Sequence, residues 1–92
     1  MLKVLKFQIG FPGDCKVEFP GTPQILSAGI QVHEFGGKSL VIWALCQSDS
    51  PYTTTKNISV VGTGLDLEVQ PGKFIATVHD ARGYVWHVFE NE

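Results

Sequence analysis

The chain has 92 residues, 43% hydrophobic, 11% aromatic and only 17% charged, with a formal net charge of −2. One domain of this length buries only about 60–65% of the surface its unfolded chain exposes, so its stability margin is thin. Seven scattered Lys and Arg residues form no basic stripe, which excludes duplex nucleic acid as a partner, and the low charge favours association.

Turn residues divide residues 1–92, read as a single domain, into short apolar runs. This spacing predicts an all-β fold, a small antiparallel β-sandwich or barrel of about six to seven strands. From Leu2 to Ile9, Leu5, Phe7 and Ile9 share one face while Lys6 and Gln8 take the other, the period of two of a half-buried strand. Lys3 and Lys6 interrupt this stretch, which is too short for a leader or a membrane span, so no membrane partner and a cytoplasmic location are expected. A turn is expected at Gly10-Phe11-Pro12-Gly13-Asp14. Cys15, Val17 and Phe19 then alternate with Lys16 and Glu18 up to the break at Pro20-Gly21-Thr22-Pro23.

The run Gln24 to His33 places Leu26, Ala28, Ile30 and Val32 on one side. After a turn at Glu34 to Lys38, the run Ser39 to Cys46 is apolar on both faces, as in a strand that is central or covered. Its second face carries Val41, Trp43 and Leu45. Gln47 to Asn57 is polar and reads as an exposed loop, Ile58 to Val61 as a strand ending at Gly62-Thr63-Gly64, and Leu65 to Val69 as a further alternating segment. Asp80-Ala81-Arg82-Gly83 has the Asp and Gly of a type I turn with a G1 bulge. That register predicts Phe74, Ala76, Val78, Tyr84, Trp86 and Val88 on the core face. Ile75, Thr77, His79, Val85, His87 and Phe89 then lie opposite.

With the strands placed, Ile25-Leu26-Ser27, Val41-Ile42-Trp43-Ala44-Leu45, Val60-Val61-Gly62-Thr63-Gly64 and Val85-Trp86-His87-Val88-Phe89 occur in an order that resembles a family of short, uncharacterised bacteriophage proteins. The resemblance spans Ile25 to Glu90. It departs after Gly64, where Leu65-Asp66-Leu67-Glu68 stands in place of a Pro-rich acidic stretch. The resemblance implies a phage accessory protein in the cytoplasm of an infected bacterial host, one that binds and blocks a host or defence protein, or a minor virion component.

The residues suggest where binding would occur. His79, His87 and Phe89, with Arg82 at the turn and residues 53–56 at the margin, form the candidate partner surface. Gly62, Thr63 and Gly64 could offer backbone amides to an anion, so an oligomer that sequesters a small signalling nucleotide is the alternative reading. No lysine or helix start follows that turn as a phosphate loop requires. His79, His87 and Asp80 could hold zinc, but no further Cys or His at finger-like spacing completes the set, so no metal and no cofactor is expected. Cys15 and Cys46 fall on apolar strand faces and read as inert thiols rather than a disulfide or nucleophile. With no nucleophile, base and oxyanion donor together, the chain is read as a non-enzyme. Trp43, Ile75 and Val85 are the candidate interface of a homo-oligomer.

Overall fold

A computed structural model describes residues 1–10 and 13–91. Seven strands follow in order: β1 (Leu2–Ile9), β2 (Gly13–Pro20), β3 (Gln24–Val32), β4 (Lys38–Gln47), β5 (Thr53–Gly62), β6 (Lys73–His79) and β7 (Val85–Asn91). They form a three-stranded sheet in the order β1-β4-β3 and a four-stranded sheet in the order β2-β5-β7-β6, every pair antiparallel. The fold is therefore all-β, as the alternation predicts. Among the described residues no helix is long and apolar enough to cross a membrane. The turn expected at Gly10 to Asp14 includes Phe11 and Pro12, which lie outside the described residues.

The two sheets face each other across one core. Leu40, Ile42, Ala44 and Cys46 point inward from β4, and Phe19, Ile58, Val60 and Val88 meet them from the opposite sheet. Leu5, Phe7 and Ile9 line the inner side of β1, in the register where Phe7 lies opposite Ile42. Phe7 and Phe19 meet edge to face across the sandwich, with ring centroids 4.6 Å apart. Along one flank β3 runs beside β6, while β1 and β2 approach each other only locally. Cys15 and Cys46 are both free thiols, and burial pushes the Cys46 thiol pKa up.

Two bulges change which side chains reach the core. On β3 the register shifts between Ile25 and Ser27, so Ile25 packs against the core and Leu26, expected inside, is exposed. On β6 the shift between Phe74 and Ala76 turns Ile75 inward and Phe74 outward. An extra residue in a strand inverts the parity of everything before it, so alternation alone assigns those residues to the wrong face.

Two further expectations are corrected. The polar stretch Gln47 to Asn57 is a loop only at residues 48–52; from Thr53 the three β-branched threonines already pair with Pro20, Phe19 and Glu18 of β2. Leu65 to Val69 is not a strand, and Leu65, Leu67 and Val69 are exposed. Both edges of β5 are taken by β2 and β7, so the segment that leaves β5 finds no ladder beside it.

The outer face of the three-stranded sheet covers itself. Trp43 lies over Gly29 of β3, where an added Cβ would sit 3.0 Å from the indole ring, and Val41 beside it is 1% exposed. The second apolar face of β4 is therefore covered within the monomer, although Leu2 and Val4 at its margin remain exposed.

Candidate functional site

The β6–β7 hairpin organises the candidate site. Asp80 accepts the amide of Tyr84 by its side chain, and its own amide donates to the Tyr84 carbonyl. Gly83 donates to the Asp80 carbonyl and stands at φ 90°, a conformation only glycine adopts without strain. The type I turn with its left-handed glycine is thus formed as the sequence predicts.

The Asp80 carboxylate does more than cap this turn. It accepts hydrogen bonds from the Trp86 indole Nε1 at 3.1 Å, from the amides of Arg82 at 2.8 Å and Tyr84 at 3.1 Å, and from the Arg82 guanidinium at 3.3 Å. Chiefly the Trp86 hydrogen bond, supported by the two amides and the guanidinium and opposed by desolvation, lowers its pKa to about 2. A carboxyl pKa lowered by folding adds stability that is complete above its unfolded value, near 3.8, and is lost as pH falls toward 2. We expect the wild-type melting temperature to fall through that window and Asp80→Asn to show a lower melting temperature at neutral pH with a flatter acid limb. Parallel acid limbs, read by circular dichroism, would show that the carboxylate does not carry this charge-dependent stability.

His79 and His87 do fall on one face as diagonal neighbours, because Thr77 lies opposite His87 and His79 opposite Val85. The His87 ring is held on both sides, with Nε2 2.8 Å from the Thr63 hydroxyl and Nδ1 3.1 Å from the Thr77 hydroxyl. With Thr63 donating to the carbonyl of Val85 at 3.3 Å, Nε2 donates to Thr63 and Nδ1 accepts from Thr77. His87 thus ties the Gly62-Thr63-Gly64 turn across β7 to β6. His79 is exposed, and Asp80 is engaged elsewhere, so the three groups proposed as possible zinc ligands are not convergent. Among the described residues no group of three or more His, Cys, Asp or Glu side chains is placed to hold a metal ion.

Phe89 lies on the same face, its ring 5.9 Å from that of the exposed Phe74 and edge to face with it. Of the expected interface residues, Val85 is half-buried on this face, Trp43 covers Gly29 on the opposite sheet, and Ile75 packs into the core. The structure therefore does not bring these three together.

Gly62, Thr63 and Gly64 form a turn whose amides are largely spent. The Thr63 amide donates to Val85 at 3.2 Å and the Leu65 amide to Gly62 at 3.3 Å, which leaves a poor nest for an anion. What the turn does build is one wall of an apolar cleft of about 480 Å³, between Gly62, Thr63 and Leu65 on one side and Tyr84, Val85 and Trp86 on the other. Gly62 is required there: an added Cβ would press to 3.1 Å from Leu65 and 3.3 Å from Trp86. Tyr84 and Leu65 are 58% and 62% exposed, so they form the rim. The Arg82 guanidinium lies 5.1 Å from the Tyr84 ring centre, in cation–π range.

The sequence points to Gly62 and Thr63, which line this cleft, and to Gly64 and Arg82, the chain neighbours of its lining residues Leu65 and Gly83; Trp86 packs against the core as expected and also walls the cleft, whereas Tyr84, expected in the core, and Leu65, expected on a strand, form its rim. Concavity arises only where a turn stands opposite the start of β7, which is a property of register and not of local pattern.

The match that decides kinship covers residues 1–92 and is to the family described as a domain of unknown function, DUF7352. The chain belongs to the DUF7352 family. Neither curated proteins nor solved structures gave a match to it. In this DUF7352 chain the cleft and the adjoining His87 face are the places where concave shape, aromatic walls and exposed apolar rim coincide.

Proposed function

We propose that this DUF7352 protein acts by binding and not by chemistry, capturing a partner protein at the end of the four-stranded sheet where Leu65 and Tyr84 frame the cleft. The observation that carries the reading is the character of that cleft. Its walls are apolar and aromatic, and its side-chain polar groups are engaged, the Thr63 hydroxyl with Val85 and His87 and the Trp86 indole N–H with Asp80. Such a cavity suits an apolar side chain projecting from a partner, with the Arg82 guanidinium beside the Tyr84 rim. The phage setting comes from the sequence resemblance, and with it the further proposal that the partner is a host or defence protein in the cytoplasm of an infected bacterium.

Capture from infected cells followed by identification of the bound protein supplies the partner, and titration of that purified protein supplies the test. Leu65→Ser and Tyr84→Ser, both at exposed positions, should leave the fold intact and weaken binding at least about thirtyfold, the size of a hot-spot loss. Equal affinity of wild type and both variants would refute this site.

A second reading keeps the same cleft but fills it with a small signalling nucleotide, in which a planar base stacks on Tyr84 and a phosphate meets the adjacent Arg82. Calorimetry with cyclic dinucleotides and ADP-ribose derivatives tests it, and flat titrations would eliminate it.

A further inference from the structure

Of the strands at sheet margins, β3 and β6 run beside each other, whereas among the described residues no further strand is paired along the outer margins of β1 and β2. An open margin presents alternate backbone N–H and C=O groups sideways and invites pairing with another chain. The two open strands differ in charge. β1 carries Lys3 and Lys6, so a second copy of β1 laid against it would gather four ammonium groups. β2 carries Asp14, Lys16 and Glu18 in alternation on its outer face, opposite Ser59, Asn57 and Thr55 of β5.

This order of charges is self-complementary. If a second β2 runs antiparallel about a two-fold axis at Val17, Lys16 of each copy stands directly opposite Glu18 of the other, giving two cross-strand ion pairs. Registers centred on Lys16 or on Glu18 instead oppose like charges at the axis. The Val17 register also overlaps the strand from Asp14 to Pro20, nearly its full length, and leaves Pro20, which lacks an N–H, at the end of the ladder. Lys16 makes no ion pair among the described residues, so its ammonium is available, and both Lys16 and Glu18 are exposed.

We propose that this protein forms a two-fold dimer through β2, antiparallel about Val17, joining the two four-stranded sheets into one continuous eight-stranded sheet. The occupant of the β2 margin is a second copy of this chain, a conclusion independent of the partner-binding cleft, whose lining residues, Gly62, Thr63, Leu65 and Gly83 to Trp86, include none of β2. Interface residues then come from β2 and not from the Trp43, Ile75 and Val85 set. The pairing follows the isologous rule of two-fold assemblies, in which one surface meets itself.

Sedimentation velocity and light scattering over a micromolar concentration range test this directly. The wild-type chain should show twice the 10.1 kDa mass of one chain at the upper end of the range. Lys16→Glu turns two attractive pairs into two repulsive ones and should raise the dissociation constant about tenfold or more. Glu18→Lys should do the same. The double exchange Lys16→Glu with Glu18→Lys restores opposite charges across the axis and should bring the dimer back. Glu18 also accepts a hydrogen bond from the Thr53 hydroxyl at 3.0 Å, so Lys16→Glu is the cleaner single variant, and a melting curve of each confirms the monomer fold. A strictly monomeric wild type, a dimer indifferent to Lys16→Glu, or a double exchange that stays dissociated while folded would each overturn the proposal.

Discussion

Phe19→Ala should lower stability by about 3–5 kcal/mol, the cost of deleting a buried ring and leaving its cavity. Phe19 has no exposed surface, and its ring meets Phe7 edge to face from the opposing sheet, so its removal opens a cavity between the two layers. A domain of 92 residues has a total margin of roughly 5–15 kcal/mol, so one truncation removes a large share of it. The melting temperature should fall by about 15–30 °C. Urea unfolding followed by tryptophan fluorescence measures the change, and Phe7→Ala, at a half-buried position, should cost less. A double-mutant cycle between the two should return a coupling of about 0.5–1.5 kcal/mol. A loss under about 1 kcal/mol for Phe19→Ala would mean that the ring is not the bridge between sheets that its burial describes.

The second large effect is expected at Gly72. An added Cβ there would fall well inside van der Waals contact of the Glu90 carbonyl oxygen, and 3.0 Å from the Asn91 side-chain oxygen. Both obstacles belong to β7, which cannot retreat because β5 and β6 hold its two margins. The Gly72 amide donates to Asn91 Oδ1 at 2.8 Å, Asn91 Nδ2 donates to the Ser59 hydroxyl, and Ser59 donates to Asp14 at 2.7 Å. This relay fastens the segment between β5 and β6 to β7, β5 and β2. Gly72→Ala forces the segment away from β7 and should cost about 1–3 kcal/mol by overpacking. Asn91→Ala removes the relay without the clash and should cost about 1 kcal/mol. Denaturant midpoints report both, and an unshifted midpoint for Gly72→Ala would contradict the close approach.

Much of the fold is legible in the sequence because alternation is a direct consequence of one face being buried. β1 and β2 show it without interruption, β4 is marked instead by being apolar on both faces, and the Asp80 to Gly83 turn fixes the β6–β7 register through the demands of its glycine. The misassigned residues have specific causes. Leu26 and Phe74 sit beside bulges, which reset parity without any compositional mark. The threonines at 53–55 resemble a loop by polarity yet form strand by β-branching, and propensity prevailed once β2 offered a margin to pair with. Leu65 to Val69 shows the reverse, a strand pattern that leaves β5 where both margins of that strand are already taken. For the site, the glycine turn and Arg82 were visible, but the wall opposite was not. Tyr84 and Trp86 have the parity of core residues, and only the shape of the hairpin end leaves Tyr84 at the surface.

The order in which the chain visits its two layers governs how it must fold. It changes layer between β1 and β2, between β2 and β3 and again between β4 and β5, so only β3–β4 and β6–β7 are pairings of consecutive strands. The remaining ladders must find distant partners, as when Leu2 meets Gln47, and each such closure spends chain entropy before any packing repays it. Self-assembly of this domain therefore belongs to the millisecond-to-second class of β-rich topologies, with the two hairpins as its earliest structured pieces. Until β1 arrives, the apolar β4 strand has one side bare, and during that interval a nascent chain is most vulnerable to aggregation.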